Sequence, residues 1–282
     1  MQHLSEDTLK VITASLVGRW AAAILMMIAG GINAVAQTPY TEIEIANGGT
    51  LRGSVVYQPA GGAAVEKLMC TKDVKLCGKM KASPRLCLGK SNGVANSIVY
   101  LEGITQGKKF DRSARATLTQ EHCEYSPHCV VIPLGSQLEI VNGDPILHNV
   151  HAYDEQTHTR SIFNIAQPIR GQHTVVKQTQ LNKPGLISAS CDAGHPWMSA
   201  YIMVAEHPYY TVTDREGRFM LENIPPGTYQ VKVWHEGVAS SRSEIENGKV
   251  KKYIFEEPYE MKKTVDVPSA GSVDVNFDLV LR

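Results

Sequence analysis

The sequence predicts an all-β protein assembled from sandwiches of mainly antiparallel strands. Three observations carry that expectation. The C-terminal stretch SVDVNFDLVL alternates strictly, with Val273, Val275, Phe277, Leu279 and Leu281 on one face. The tetrapeptides DREG (214–217) and IPPG (224–227) separate short apolar stretches, as tight turns between strands do, and Gly217 falls where a positive φ is needed. No segment shows the sustained 3.6-residue apolar repeat of a long amphipathic helix.

At the N-terminus, Lys10 and Arg19 precede the apolar run WAAAILMMIAGG from Trp20, and the small residues of Ala34–Ala36 follow it. That order matches a secretory signal over residues 1–36. The competing reading is an uncleaved membrane anchor, although the run is short for a span of about 20 residues and contains Gly30, Gly31 and Asn33. The expected compartment is periplasmic or otherwise extracytoplasmic, with membrane contact only if this segment is retained.

The chain has 282 residues, 43% hydrophobic and 20% charged, as folded globular proteins do. Lys plus Arg balance Asp plus Glu at 28 each, and removal of residues 1–36 takes two of each sign. No basic stripe with interleaved aromatics is present, which argues against a nucleic-acid partner. Of six cysteines, Cys191 is a candidate metal ligand. The other five (Cys70, Cys77, Cys87, Cys123 and Cys129) allow two disulfides and one free thiol, or buried thiols throughout, without fixing any pairing.

Taken in order, GTLRGSVVYQPAGG from Gly49 reads as a strand with Leu51, Val55 and Tyr57 on one face, and NSIVYLEG (96–103) as a second. Residues 62–92 between them carry three cysteines, many lysines and little periodicity, and are expected to form a long loop stapled or packed by its cysteines. Turns at 133–135 and 142–145 divide the next segment into strands. GLISASC from Gly185 and SAYIMVAE from Ser199 are strands flanking the loop CDAGHPWM (191–198).

That loop holds a thiol, an imidazole and a thioether within eight residues, and DPILHNVHAYD supplies a further imidazole at His148. One soft thiolate, two imidazoles and a weak thioether suit an ion cycling between Cu(I) and Cu(II), since the set compromises between the preferences of both states. His148, Cys191, His195 and Met198 are therefore the candidate ligands of one copper ion. Each residue alone would be an ordinary buried thiol, surface imidazole or core methionine; the combination is what points to a metal. His151, three residues along an extended strand from His148, is expected on the opposite face.

These motifs resemble the cupredoxin family of blue copper proteins, in particular those of amicyanin and plastocyanin type. The resemblance rests on His148-Asn149-Val150 and on the Cys, His, Met loop of residues 191–198. It implies a Greek-key β-sandwich over residues 112–206, a single type 1 copper, and Asn149 as the residue tethering the two ligand loops. It also implies that the ring edge of His195 reaches the surface inside an apolar patch with Pro196 and Trp197, unless Trp197 is a core residue. His128 is a lesser candidate for lining the site. One departure is that three residues separate Cys191 from His195 where those relatives have two. The wider spacing resembles half of the binuclear copper motif of cytochrome oxidase subunit II, but Ile187 stands where that motif needs a second cysteine.

The segment TDREGRFMLENIPPGTYQVKVWHEG resembles carboxypeptidase regulatory-like domains, small β-sandwiches without catalytic residues. Their opening half resembles residues 49–103, so the cupredoxin-like segment is expected to interrupt a sandwich split between 48–111 and 207–282. Simple succession of the two units is the alternative. The resulting expectation is an exported one-electron carrier that serves a redox protein such as a c-type cytochrome or a periplasmic oxidoreductase. The alternative is a non-catalytic copper-binding or surface-interaction protein. An enzyme is not expected, because no HxH pair, GxSxG, P-loop or HExxH is present.

Overall fold

A computed structural model describes residues 39–58, 65–157 and 159–281, so the signal-like segment 1–36 lies outside the described residues. Strands dominate, and the described helical structure is one turn of α-helix at Val74–Cys77 and one of 3-10 helix at Gln178–Gln180. The strands form two sandwiches, each around its own core.

In the first, one sheet runs in the order Tyr210–Val212, Ile98–Glu102, Gly227–His235, Tyr259–Val267, and the facing sheet in the order Arg218–Ile224, Gly49–Tyr57, Ser272–Leu279. Alternation decides what faces inward: Leu51, Val55, Val275, Phe277 and Leu279 are buried while their sequence neighbours on the last strand are exposed. Gly49–Tyr57 and Ser272–Leu279 pair in parallel, with Leu51 opposite Val273 and Val55 opposite Phe277. Most other pairings are antiparallel, as expected; parallel neighbours need a long crossover, and here more than 200 intervening residues provide it. At the DREG turn, Gly217 has φ +74°, and a Cβ there would lie 2.4 Å from the Val55 carbonyl oxygen, so glycine is required on both counts.

The second sandwich pairs a five-stranded sheet with a four-stranded one. The larger runs Ser161–Gln167, His148–Asp154, Gly185–Ser190, Ser199–Ala205, Cys129–Pro133; the smaller runs His173–Val175, Gln137–Asn142, Arg115–Glu121, Glu124–Ser126. Leu118, Leu138, Ile140, Val150, Ile187, Ala189 and Ile202 fill the space between them. A small third cluster of Ile98, Cys129, Tyr201, Met203 and Trp234 joins strands of the two sandwiches.

Residues 65–92 are more structured than a loop. Lys67–Met69 and Met80–Ala82 form a short hairpin whose connection carries the Val74–Cys77 turn, and Cys77 is disulfide-bonded to Cys123. Among the described residues Cys70, Cys87, Cys129 and Cys191 are free thiols, so one disulfide forms where the count allowed two. A ribbon of Ser240–Glu246 and Lys249–Phe255 also went unread in the sequence. Its outer strand is almost wholly exposed, so no apolar alternation marks it; its signature is the Asn247-Gly248 tip, with φ +51° and +73°.

Three buried groups, His235, His207 and Glu236, contribute to the acid response. His235 is 1% exposed and neutral-compatible, its Nδ1 3.1 Å from the Ser97 hydroxyl and its Nε2 3.0 Å from the Arg85 carbonyl; burial lowers its pKa to about 4. Burial likewise lowers His207 to about 4. Burial by itself would raise the Glu236 carboxyl, but Arg85, and after it His128 and His235, bring it down to about 2. An unfolded chain protonates such histidines below about pH 6.5 while the folded one resists, so acid favours unfolding. Stability of the metal-free protein is expected to fall between pH 6.5 and 4 by up to about 3 kcal/mol per histidine. Glu236 adds a further loss between about pH 4.5 and 2, since its depressed pKa stabilises the fold only above that range. Denaturant unfolding at pH 7, 5.5 and 4 checks this, and a flat profile across that range would contradict it.

Candidate metal centre

The site is built where two strand ends of the five-stranded sheet meet. His148 opens the strand His148–Asp154, directly after a turn in which the Asp144 N–H donates to Asn142 Oδ1 at 2.9 Å and the Asn142 side-chain amide donates to the Ile146 carbonyl at 2.9 Å. Cys191 follows the neighbouring strand Gly185–Ser190, and residues 191–198 loop from there to Ser199–Ala205. Gly194, with φ +92°, lets the loop turn back so that His195 faces the thiol. The Met198 N–H closes the loop on the His195 carbonyl at 3.0 Å.

Three donors converge. Cys191 Sγ lies 3.5 Å from His195 Nδ1 and 4.0 Å from His148 Nδ1, the two imidazole centroids are 4.7 Å apart, and all three residues are buried. The three ligand atoms lie within 4.8 Å of one another. Metal–nitrogen bonds of about 2.0 Å and metal–sulfur bonds of about 2.3 Å put donors of one ion roughly 3.5–4 Å apart, so this set fits a single ion. Met198 is 1% exposed in the same core as Cys191 and Trp197. Among the described residues the other candidate group, Cys123, Asp144 and His148, reuses His148 and a sulfur already committed to the disulfide, so it adds no second centre.

Both imidazoles are held from behind by carboxylates. His148 Nε2 lies 2.9 Å from Asp144 Oδ2, and His195 Nε2 lies 2.8 Å from Asp73 Oδ2. Each contact leaves Nδ1 turned toward the sulfur and fixes the ring, as outer partners of metal-bound histidines do. Asp144 is anchored further by the N–H groups of His122 at 2.9 Å and Cys123 at 2.8 Å. Burial opposes its ionisation, but the Cys123 N–H, His148 and the His122 N–H outweigh that and lower its pKa. Burial raises the Cys191 thiol, and the backbone N–H groups of Asn149, Ala193 and His195 counter it by favouring the thiolate. Burial also lowers His195, which keeps the imidazole in its unprotonated, ligating form, while Asp73 pulls the other way.

Asn149 sits where the two ligand segments meet. Its Oδ1 accepts the Ala193 N–H at 3.0 Å and its side-chain amide donates to Asn164 Oδ1 at 2.8 Å, stitching the His148 strand to the 191–198 loop. His151 faces away from the donor set and contacts Asp192, the Ser161 hydroxyl at 2.9 Å and the Tyr153 hydroxyl at 2.7 Å. Trp197 is a core residue: 3% exposed, it donates from Nε1 to the Cys123 carbonyl at 3.0 Å and stacks edge-on to His195 at 5.2 Å between centroids.

Two expectations need correction. His128 does not line the centre: its Nδ1 is 2.9 Å from the Ser199 carbonyl and its Nε2 meets Glu236, so both ring nitrogens are engaged in the junction between the sandwiches. His195 does not reach the surface. It is fully buried beneath residues 67–82, where Asp73 caps its ring and Lys72 Nζ donates to the Ala193 carbonyl at 2.5 Å. Asp73 and Asp144, which contact the two candidate ligand imidazoles, were not among the residues expected at the site. Asp144 stands four residues before His148 within a turn and was findable; Asp73 is 122 residues from His195 and carried no local signal.

A β-sandwich carries a buried Cys and two His on adjacent strand ends, and solved structures with parts similar to this chain include copper proteins. They include a purple cupredoxin from Nitrosopumilus maritimus (21% identity, 32% of this chain and 99% of that one, TM-score 0.28) and the amicyanin of Paracoccus versutus (20%, 34% and 84%, TM-score 0.27). A copper-containing nitrite reductase from Thermus scotoductus is also similar (22%, TM-score 0.27), through 34% of this chain and 23% of its own length. At these scores the likenesses carry no functional weight. Residues 189–280 match the family profile of the carboxypeptidase regulatory-like domain, a span that takes in the 191–198 loop, Ser199–Ala205 and the strands of the first sandwich from Tyr210–Val212 to Ser272–Leu279. A comparison with curated proteins gives no match.

Proposed function

We propose that the chain is an exported protein that holds one copper ion at His148, Cys191 and His195, with Met198 as the weak fourth donor, and carries single electrons. The observation behind this is the convergence of Cys191 Sγ with the Nδ1 atoms of two histidines whose Nε2 atoms are each held by a carboxylate. Copper bound there would supply reversible one-electron chemistry. The chain's part is to keep the donors fixed through Asn149, Asp144 and Asp73, so that little rearrangement accompanies the change of charge, and to exclude water by burial. The Cys77–Cys123 disulfide and the signal-like residues 1–36 support an extracytoplasmic location, where a c-type cytochrome or an oxidoreductase would be the partner. No enzymatic step is assigned to the chain.

The first sandwich then serves as a scaffold and docking module. That residues 112–206 interrupt it is supported by the pairing of Gly49–Tyr57 with Arg218–Ile224 and Ser272–Leu279, and of Ile98–Glu102 with Tyr210–Val212 and Gly227–His235. A second reading, in which copper is bound but not used for electron transfer, is favoured by one fact: His195 is buried rather than exposed. Voltammetry of the copper-loaded protein separates the two. A reversible one-electron wave is expected, and tight copper binding without such a wave would favour storage or a structural role.

A further inference from the structure

We propose that Asp73, on the disulfide-tied segment 67–82, is a positioning residue for the metal centre: it fixes the His195 ring and biases the site toward the higher charge state of its ion. This rests on the copper reading above for its second half only; the fixing of His195 concerns the metal-free protein.

The geometry is specific. Asp73 adopts a left-handed backbone, φ +49°, at the head of the Val74–Cys77 turn, which carries its carboxylate over the otherwise closed ligand loop and onto His195 Nε2 at 2.8 Å. A carboxylate at Nε2 accepts a hydrogen there, so the neutral ring is held as the Nε2–H tautomer with Nδ1 free toward Cys191. The segment cannot drift, because it is pinned at several points. Cys77 is bonded to Cys123 beneath it, and Lys72 Nζ donates to the Ala193 carbonyl. Lys81 Nζ reaches the His122 carbonyl at 2.6 Å and Glu124 at 2.9 Å. From the far side the Tyr253 hydroxyl accepts the Met69 N–H at 2.8 Å. Gly194 belongs to the same fit, since a Cβ there would fall 2.7 Å from Lys72 Cδ.

The electrostatic consequence is additive. With Asp144 behind His148, the two imidazoles and the thiolate are backed by two carboxylates, and negative charge close to an ion stabilises its more positive state. Lys72 opposes this from the loop carbonyl, but Asp73 contacts the ligand itself.

The test uses Asp73→Asn, which retains an oxygen acceptor and removes the charge, and Asp73→Ala, which removes both. Nitrogen NMR of His195 in the metal-free protein is expected to show one Nε2–H tautomer in the wild type and in Asp73→Asn, and a tautomer mixture in Asp73→Ala. In the copper-loaded protein both variants are expected to shift the oxidised-to-reduced affinity ratio by roughly tenfold, a rise in potential of about 59 mV. A single Nε2–H tautomer persisting in Asp73→Ala would overturn the positioning role, and an unchanged potential in Asp73→Asn would overturn the charge bias. If the wild type fails to take up copper, the copper reading falls while the tautomer measurement still decides the role of Asp73.

Discussion

Replacement of Cys191 by serine is expected to abolish the intense visible absorption of the copper-loaded protein while leaving the fold intact. Loss of the only thiolate among the donors removes the ligand that suits Cu(I) and the orbital from which a strong thiolate-to-metal transition arises. Copper affinity should fall by more than the roughly 10–100-fold that loss of an outer partner of a metal ligand costs. The fold survives because the serine oxygen inherits the N–H groups of Asn149, Ala193 and His195 that now point at sulfur, so the stability change should stay within about 1–2 kcal/mol. Absorption and copper titration of Cys191→Ser check both halves. A band of undiminished intensity in the variant would mean that the sulfur is not a ligand.

The second large effect lies away from the metal. Arg85→Ala is expected to destabilise the protein by about 3–5 kcal/mol, because it leaves the fully buried Glu236 without its cation. The Arg85 guanidinium reaches Glu236 Oε2 at 3.0 Å, the Gly237 carbonyl at 3.0 Å and the Tyr201 hydroxyl at 3.1 Å, and lies 3.6 Å over the Phe255 ring. It thereby ties the segment before Ile98–Glu102 to a strand of the second sandwich and to the exposed ribbon. Pairing the change with Glu236→Gln should recover part of the loss, since the stranded charge is gone. Denaturant unfolding of the single and double variants measures this, and a single-variant loss below about 1 kcal/mol would show that water or another group takes the place of Arg85.

What could be read from the sequence follows the range over which the physics acts. Cys191 and His195 sit on one loop, so short-range spacing united them, whereas His148, 43 residues before Cys191, was joined to them by the donor set that copper needs and by the family resemblance of His148-Asn149-Val150. Strand alternation likewise revealed the faces of Gly49–Tyr57 and Ser272–Leu279, but not that these two strands pair in parallel, because alternation says which side is buried and nothing about the neighbour. His128 misled for a related reason. Its place at the head of Cys129–Pro133 was legible, whereas its partner Glu236, 108 residues away, was not. The burial of His195 was hidden most completely, since the residues covering it belong to a cysteine-containing stretch without periodicity and act only through a long-range fold. The 240–255 ribbon escaped because its strand Ser240–Glu246 is exposed on both faces and so carries no apolar period.

The central claim is one copper ion bound through a thiolate and two imidazoles. Titrating the purified metal-free protein with copper while recording visible absorption and paramagnetic resonance tests it most directly. The expected result is saturation at one copper per chain, with an intense thiolate-to-copper band growing in parallel with a single mononuclear Cu(II) signal. Saturation at two per chain, or full loading without that band, would contradict it.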